Sequence, residues 1–394
     1  MWHAAAAGLV LFFSVGIRQG FGLFLVPVVA SGVITRSDFS LAVALQYLIW
    51  GCTGPLAAKL ADRIGSERVL ALGAALYAIG FACAGKAESA WVFVLGAGVL
   101  IGLGLGLANY GVVNGWVANV VPAHMRGRAL GVVGSLTALG QLLLLFFTHW
   151  SLGAGADWRS AFGLHALCVL AIAPVALLMW RLSGASDTRT SNTVHADGHS
   201  GSSRDMLLLC LGFGLSGFQV MFTMTHLPAL LAGRGESSGT ATWMLAILSG
   251  SSFLGSYFAG RWSETLDKRR LLAGIYAARA VGAALFMVLP DDELVLGAYF
   301  FLLGLVWMST FPVVTAITAE LFGVRRLALL FGYVFLAHQA GGFVGTWLGG
   351  IVAQRWGSYA PMFPLVCALC LLAAASALRI SAAAPPTKSL EPAC

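Results

Sequence analysis

Long apolar runs separated by short polar stretches dominate the chain, and the runs have the length of a bilayer crossing. A spanning helix needs about 20 mostly apolar residues. Twelve runs meet that requirement, near residues 4–29, 39–60, 69–86, 90–120, 128–148, 158–181, 206–232, 240–260, 271–289, 294–320, 327–352 and 361–380. They predict an all-α membrane protein with twelve transmembrane helices. Residues 183–205 are rich in Ser, Gly, Asp, Thr and His and read as a flexible polar linker. The expected organisation is a six-helix bundle over 1–182, the linker over 183–205, a second six-helix bundle over 206–381 and a tail over 382–394.

The two bundles repeat one another. At a shift of 201 residues, Gly16, Phe21 and Pro27 meet Gly217, Phe222 and Pro228. The same shift pairs Gly131, Gly140 and Phe162 with Gly332, Gly341 and Phe363, and a one-residue slip aligns Asp62 with Glu264. A register held through six helices marks a duplication. It predicts two pseudo-symmetric bundles related by an axis along the membrane normal.

Composition narrows the class. Only 10% of the residues are charged and 59% are hydrophobic, against roughly 25% charged in soluble domains. The formal net charge of +7 would suit a nucleic-acid partner. The basic residues, however, stand in short loops, so membrane topology accounts for them and no nucleic acid is expected. Sixteen Lys and Arg fall in the linker, the tail and the loops after the second, fourth, eighth and tenth runs. The other side holds five: Arg36, Lys86, Arg159, Arg234 and Arg355. That excess predicts cytoplasmic termini, and the compact loops fit a bacterial inner membrane. The seven cysteines form neither a disulfide framework nor a zinc cluster. With no phosphate loop, nucleotide site or catalytic triad, the chain is expected to be no enzyme and to hold no metal or cofactor. Its start, MWHAAAAGLVLFF, lacks the basic region of a signal peptide and reads as a retained first helix.

After the second run comes AAKLADRIGSERVLALG. This stretch resembles the loop signature of the major facilitator superfamily, Gly-x-Leu-Ala-Asp-Arg-x-Gly-Arg-Lys. Leu60, Ala61, Asp62, Arg63, Gly65 and Arg68 carry it, with Ala58 in place of the opening Gly and Ser66-Glu67 in place of the basic pair. A weaker copy, Gly260-Arg261-Trp262-Ser263-Glu264 and then Lys268-Arg269-Arg270, follows the eighth run. The resemblance implies the facilitator fold, transport by alternating access and a monomer. It also implies a gating cluster at Asp62, Arg63, Arg68 and Glu264 that holds the halves together when the protein opens outward. The strings GIRQGFGLFLVP, THLPALL, IYAARA and FLAHQAGGFVGTWLGG are similar to those of bacterial facilitators related to the monocarboxylate and oxalate/formate carriers. Eukaryotic members of that branch keep an Asp and an Arg in the eighth helix. This chain has Leu248-Ser249-Gly250-Ser251 there, so that pair does not carry over.

Two arginines, Arg18 and Arg279, lie deep in apolar runs with no carboxylate at comparable depth. A guanidinium stays charged at physiological pH, and burying one in a bilayer costs about 3 kcal/mol or more. A mobile anion is the natural missing partner, because the five-donor fork suits bidentate carboxylate recognition. Arg18, with Gln19 beside it and Gln219 opposite in the repeat, is the leading candidate for substrate contact. Arg279 either joins the substrate site or pairs with Glu320 as a structural element. His338, next to Gln339, and His226 are candidate proton carriers, or else bond neighbouring helices, and His165 reads as a packing residue. Asn109, Tyr110 and Gln141 are candidate polar cavity groups or interhelical bridges.

All 16 acidic residues lie outside the membrane core, which argues against an exporter of cationic drugs that uses a membrane carboxylate. The expected function is proton-coupled transport of small organic monocarboxylates, with the anion, protons and lipid as partners. The alternatives are an exporter of hydrophobic or anionic compounds and a membrane sensor that does not transport.

Overall fold

The computed structural model describes residues 2–153, 157–183 and 201–381. Most of the expected linker (184–200) and the tail (382–394) lie outside them. Twelve helical rods follow one another: α1 Trp2–Ala30, α2 Arg36–Ile64, α3 Ser66–Gly85, α4 Ala90–Val120, α5 Arg126–Gly153, α6 Trp158–Ser183, α7 Ser203–Ala232, α8 Ser238–Trp262, α9 Lys268–Phe286, α10 Glu293–Phe322, α11 Val324–Trp356 and α12 Met362–Leu378. Among the described residues, eight of them are long and apolar enough to cross a membrane by length and composition alone. Their ends alternate between a basic face, where α1 begins, and a distal face, where α2 begins.

Local chemistry fixes where the rods start. Thr35 and Asp38 form a capping box at α2, and Ser202 and Asp205 form one at α7; each satisfies otherwise orphaned backbone donors. Asp267 caps α9 by accepting from the Arg269 and Arg270 amides. Between α2 and α3 the chain reverses at the single residue Gly65, whose φ of +93° belongs to the region open to glycine.

Each half is pinned by a glycine crossing. A methyl group on Gly16 in α1 would lie 2.6 Å from the Gly140 carbonyl carbon in α5, and one on Gly140 would strike the Phe12 carbonyl. The duplicated residues do the same between α7 and α11: Gly217 faces the His338 carbonyl and Gly341 the Gly214 carbonyl. Small residues let membrane helices approach to backbone contact, so the glycines repeated at 201 residues mark the helix crossings. Gly140→Val is expected to destabilise the protein by about 3 kcal/mol or more through overpacking. Loss of the monodisperse gel-filtration peak and a lowered melting temperature would register it; a wild-type profile would contradict the crossing.

The repeat also explains two interruptions. α4 breaks at Ala108–Asn109 and α10 at Met308–Ser309, 200 residues apart and so within one residue of the repeat's register. A break inside a membrane leaves backbone groups that the protein itself must satisfy.

The halves meet along α2–α11, α1–α7 and α5–α8. Gly22 in α1 packs on the Met224 and Thr225 carbonyls of α7. Among the described residues, three hydrogen bonds cross the seam: Gln19 Nε2 to Ser249 Oγ at 2.5 Å, Gln339 Nε2 to the Tyr47 carbonyl at 3.3 Å, and the Ser37 amide to Gln354 Oε1 at 2.8 Å. Two ring pairs join them, Trp50–Phe335 and Phe146–Trp243. Among the described residues, these contacts between the halves therefore gather at mid-depth and toward the distal face.

Candidate functional site

Arg18 sits 16 residues into α1, about 24 Å from its start at 1.5 Å per residue. It occupies the last turn before Gly20, where the α-helix gives way to a 3₁₀ turn over Phe21–Phe24. A cation there suits the negative end of the helix dipole, which accounts for part of its tolerance. The dipole does not satisfy its donors. The residue is only 8% exposed, and Nε and Nη2 are buried with no hydrogen-bond partner among the described residues. Its guanidinium carbon lies 4.2 Å from the centre of the Tyr47 ring and 5.7 Å from that of Phe21. The two rings hold the cation by their faces and leave the hydrogen-bonding fork free.

Tyr47 connects this cation to the opposite half. Its carbonyl accepts from Gln339 Nε2, and Gln339 Oε1 lies 3.2 Å from His338 Nδ1. An amide oxygen only accepts, so Nδ1 of His338 carries the hydrogen and Nε2 keeps its lone pair. That nitrogen is buried without a protein partner, within a ring cluster of Phe213, Phe311 and Phe335. Arg18, Gln339 and His338 thus fall into one chain of contacts through Tyr47, which the sequence reading did not single out. Ser249, the partner of Gln19, was also missed. It lies in the stretch Leu248-Ser249-Gly250-Ser251 of α8.

Other candidates fall elsewhere. Arg279 is fully buried and satisfied: Nε donates to the Val306 carbonyl at 2.9 Å, Nη1 to Ser216 Oγ at 2.5 Å, and Nη2 to the Trp307 carbonyl and, at 3.3 Å, to Thr310 Oγ1. Val306 and Trp307 end the first segment of α10, where carbonyls lose their intrahelical partners. Arg279 caps the break. The expected pairing with Glu320 is corrected, because Glu320 binds Lys268 at 2.9 Å near the basic face. The first half solves the same problem with Asn109. Its side chain accepts from the Gly111 and Val112 amides and donates to the Gly106 carbonyl, so it is a helix cap and not a free cavity group.

His226 has both ring nitrogens engaged, Nδ1 at 3.0 Å from the Tyr359 hydroxyl and Nε2 at 2.9 Å from the Thr346 carbonyl. Because that carbonyl only accepts, Nε2 carries the hydrogen and Nδ1 accepts from Tyr359. Both ring nitrogens are thus engaged by protein groups. His165, read as a packing residue, bonds Thr148 and the Ala161 carbonyl. Gln219 is buried with Oε1 unpaired by protein, Gln141 is half-buried and Tyr110 is exposed.

At the basic face Asp62, Arg63, Arg68 and Glu264 are exposed. Among the described residues Asp62 makes no hydrogen bond or ion pair, and Glu264 pairs with Arg261 at 3.4 Å within its own half. Glu67 holds the first half instead. Its carboxylate accepts from Trp116 Nε1 of α4 at 2.7 Å and from Ser183 Oγ of α6 at 2.5 Å.

The sequence profile described as Major Facilitator Superfamily matches residues 5–201 and 209–393. Multidrug resistance protein MdtH of Shigella boydii is 25% identical over 315 residues, covering 79% of this chain and 76% of that protein. Monocarboxylate transporter 13 of Rattus norvegicus is 25% identical over 373 residues, covering 88% and 81%. Among solved structures, a bacterial homologue of the human lysosomal transporter Spinster, in an inward-facing and occupied conformation, superposes with a TM-score of 0.70 at 15% identity over 96% of this chain and 94% of that one. The relatives carry different cargo names, whereas profile and fold agree over nearly the whole length. With twelve helices, a duplicated half and a central buried cation, the chain belongs to the major facilitator superfamily and is a membrane-embedded secondary transporter, not an enzyme.

Proposed function

We propose that the protein carries small organic anions, monocarboxylates first, across a bacterial plasma membrane by alternating access, with proton coupling. One observation carries the reading: a guanidinium near the middle of α1, buried against two rings, whose Nε and Nη2 donors no group among the described residues takes up. An arriving carboxylate accepts two parallel N–H bonds from that fork. The pair is neutral, and a neutral pair costs less to occlude from water than a lone cation, so closure follows loading. His338 Nε2 takes the co-transported proton and the imidazole gives it up after reopening. The basic face is then cytoplasmic, and the state described above is inward-open.

A panel of carboxylates, amines and neutral sugars, added to purified protein at two pH values, tests this reading by thermal unfolding. A ligand stabilises the state it binds, so melting should rise with carboxylates alone. A rise only with hydrophobic drugs or amines would favour the second reading, an exporter, which the likeness to the multidrug resistance protein supports.

The gating cluster completes the cycle. Asp62 and Glu264, unbridged across the halves in the open state, engage the opposite basic groups when the cytoplasmic face closes. Asp62→Asn is expected to shift the resting population further toward inward-open. Cysteine reporters on the basic face should then label several-fold faster, and unchanged labelling would remove Asp62 from the gate.

A further inference from the structure

A cavity of about 410 Å³ opens on the distal face, bounded on one side by Val26 and Arg36 and on the other by Arg234, Phe286 and Tyr359. The distal side carries only five basic residues, and two of them line this one space. Arg36 begins α2 in the first half, at the positive end of the helix, and among the described residues it has no ion pair. Arg234 follows α7 in the second half. Asp291 takes its Nε at 3.1 Å and the Leu289 carbonyl takes Nη2 at 2.8 Å, while Nη1 is buried with no protein partner. Asp291 offsets much of the Arg234 charge, whereas Arg36 faces the same space with no ion pair among the described residues. The neighbouring Ser37–Gln354 bond shows that the seam closes at this level. The remaining lining is largely apolar and includes Val26, Phe286 and Met287, which suits an organic body more than a bare inorganic ion.

We propose that this cavity binds an amphipathic oxyanion, whose charged end bridges Arg36 and Arg234 and holds the distal face shut. The bound group adds two charge-assisted contacts across the seam, so it favours the state open at the basic face. This ligand is not the cargo at Arg18, and the inference does not depend on what Arg18 carries. A soluble organic acid and the headgroup of an anionic lipid share the required chemistry.

The test uses the full chain in neutral detergent, with benzoate as probe and thermal unfolding as readout, supported by spin-label distances between Leu130 and Tyr333 positions on the basic face. Benzoate should raise the melting temperature and lengthen the distances toward the open state in the wild type, and still do so in Arg18→Gln. With Arg36→Gln or Arg234→Gln added to the Arg18→Gln protein, so that the cargo site is silent, the benzoate concentration needed should rise at least about tenfold, as expected for a lost charged contact. Either variant suffices if the other fails to fold. A second arm places the protein in phosphatidylcholine nanodiscs with and without phosphatidylglycerol. Lengthening by phosphatidylglycerol alone, lost in Arg36→Gln, supports the site and identifies a lipid occupant. A benzoate response lost in Arg18→Gln but intact in Arg36→Gln overturns the proposal, as does no response to either anion.

Discussion

Arg18→Gln is expected to reduce carboxylate uptake by proteoliposomes at least about 100-fold, with the protein still folded and monodisperse. The magnitude follows from deleting one partner of a desolvated charge pair, which costs about 3–5 kcal/mol. Stability should change little or improve, because the wild-type guanidinium keeps buried donors that no protein group satisfies, and a neutral amide relieves that cost. Arg18→Lys should fall in between, since an ammonium keeps the charge but not the planar fork. Carboxylate uptake near wild type in Arg18→Gln would remove this residue from the substrate site. Tyr47→Leu extends the test. It takes away the ring beneath the guanidinium and should weaken substrate affinity more than it lowers the maximal rate.

The opposite pattern is expected at the other buried arginine. Arg279→Met leaves the Val306 and Trp307 carbonyls and the Ser216 hydroxyl without their donor. Orphaned buried acceptors cost about 1–3 kcal/mol each, so a loss of about 3 kcal/mol or more is expected, read as a sharp fall in melting temperature and yield. Protein that survives should bind substrate with near-normal affinity. Normal stability with abolished uptake would instead place Arg279 on the transport path. Tyr77 offers a milder control. It lies in α3, the first-half counterpart of α9, where its hydroxyl donates to the Ser14 carbonyl of α1 at 3.3 Å. Tyr77→Phe removes a single bond, worth about 0.6 kcal/mol in membrane proteins.

These two arginines define what could be read from sequence. Helix number, the duplication and the facilitator motif were legible because bilayer thickness imposes a run length and because duplication preserves a register. Both arginines appeared as buried cations without counter-ions, and hydropathy cannot distinguish them. What distinguishes them is the break in α10, whose freed carbonyls accept from Arg279. No comparable carbonyls accept from Arg18. Breaks within an apolar run leave little mark on hydropathy; Asn109 was the one local sign, since Asn favours helix starts, and it was read as a cavity group. Tyr47 and Ser249 were illegible for another reason. An aromatic residue or a serine in a membrane helix is unremarkable until its partner comes from a distant helix, and Ser249 lies 230 residues from Gln19.

The glycine crossings have a mechanical consequence. Where backbones touch, α1 cannot slide on α5, nor α7 on α11, without collision, so each pair travels as a stiff lever. Motion is confined to the surface between the halves, which among the described residues carries three polar bonds and two ring pairs. At about 0.6 kcal/mol per membrane hydrogen bond, the polar fastening amounts to roughly 2 kcal/mol. A tenfold preference of one ligand for one state is worth about 1.4 kcal/mol, the same order as the fastening it must overcome. Rigid levers on a weak clasp allow modest binding preferences to drive a whole-molecule movement.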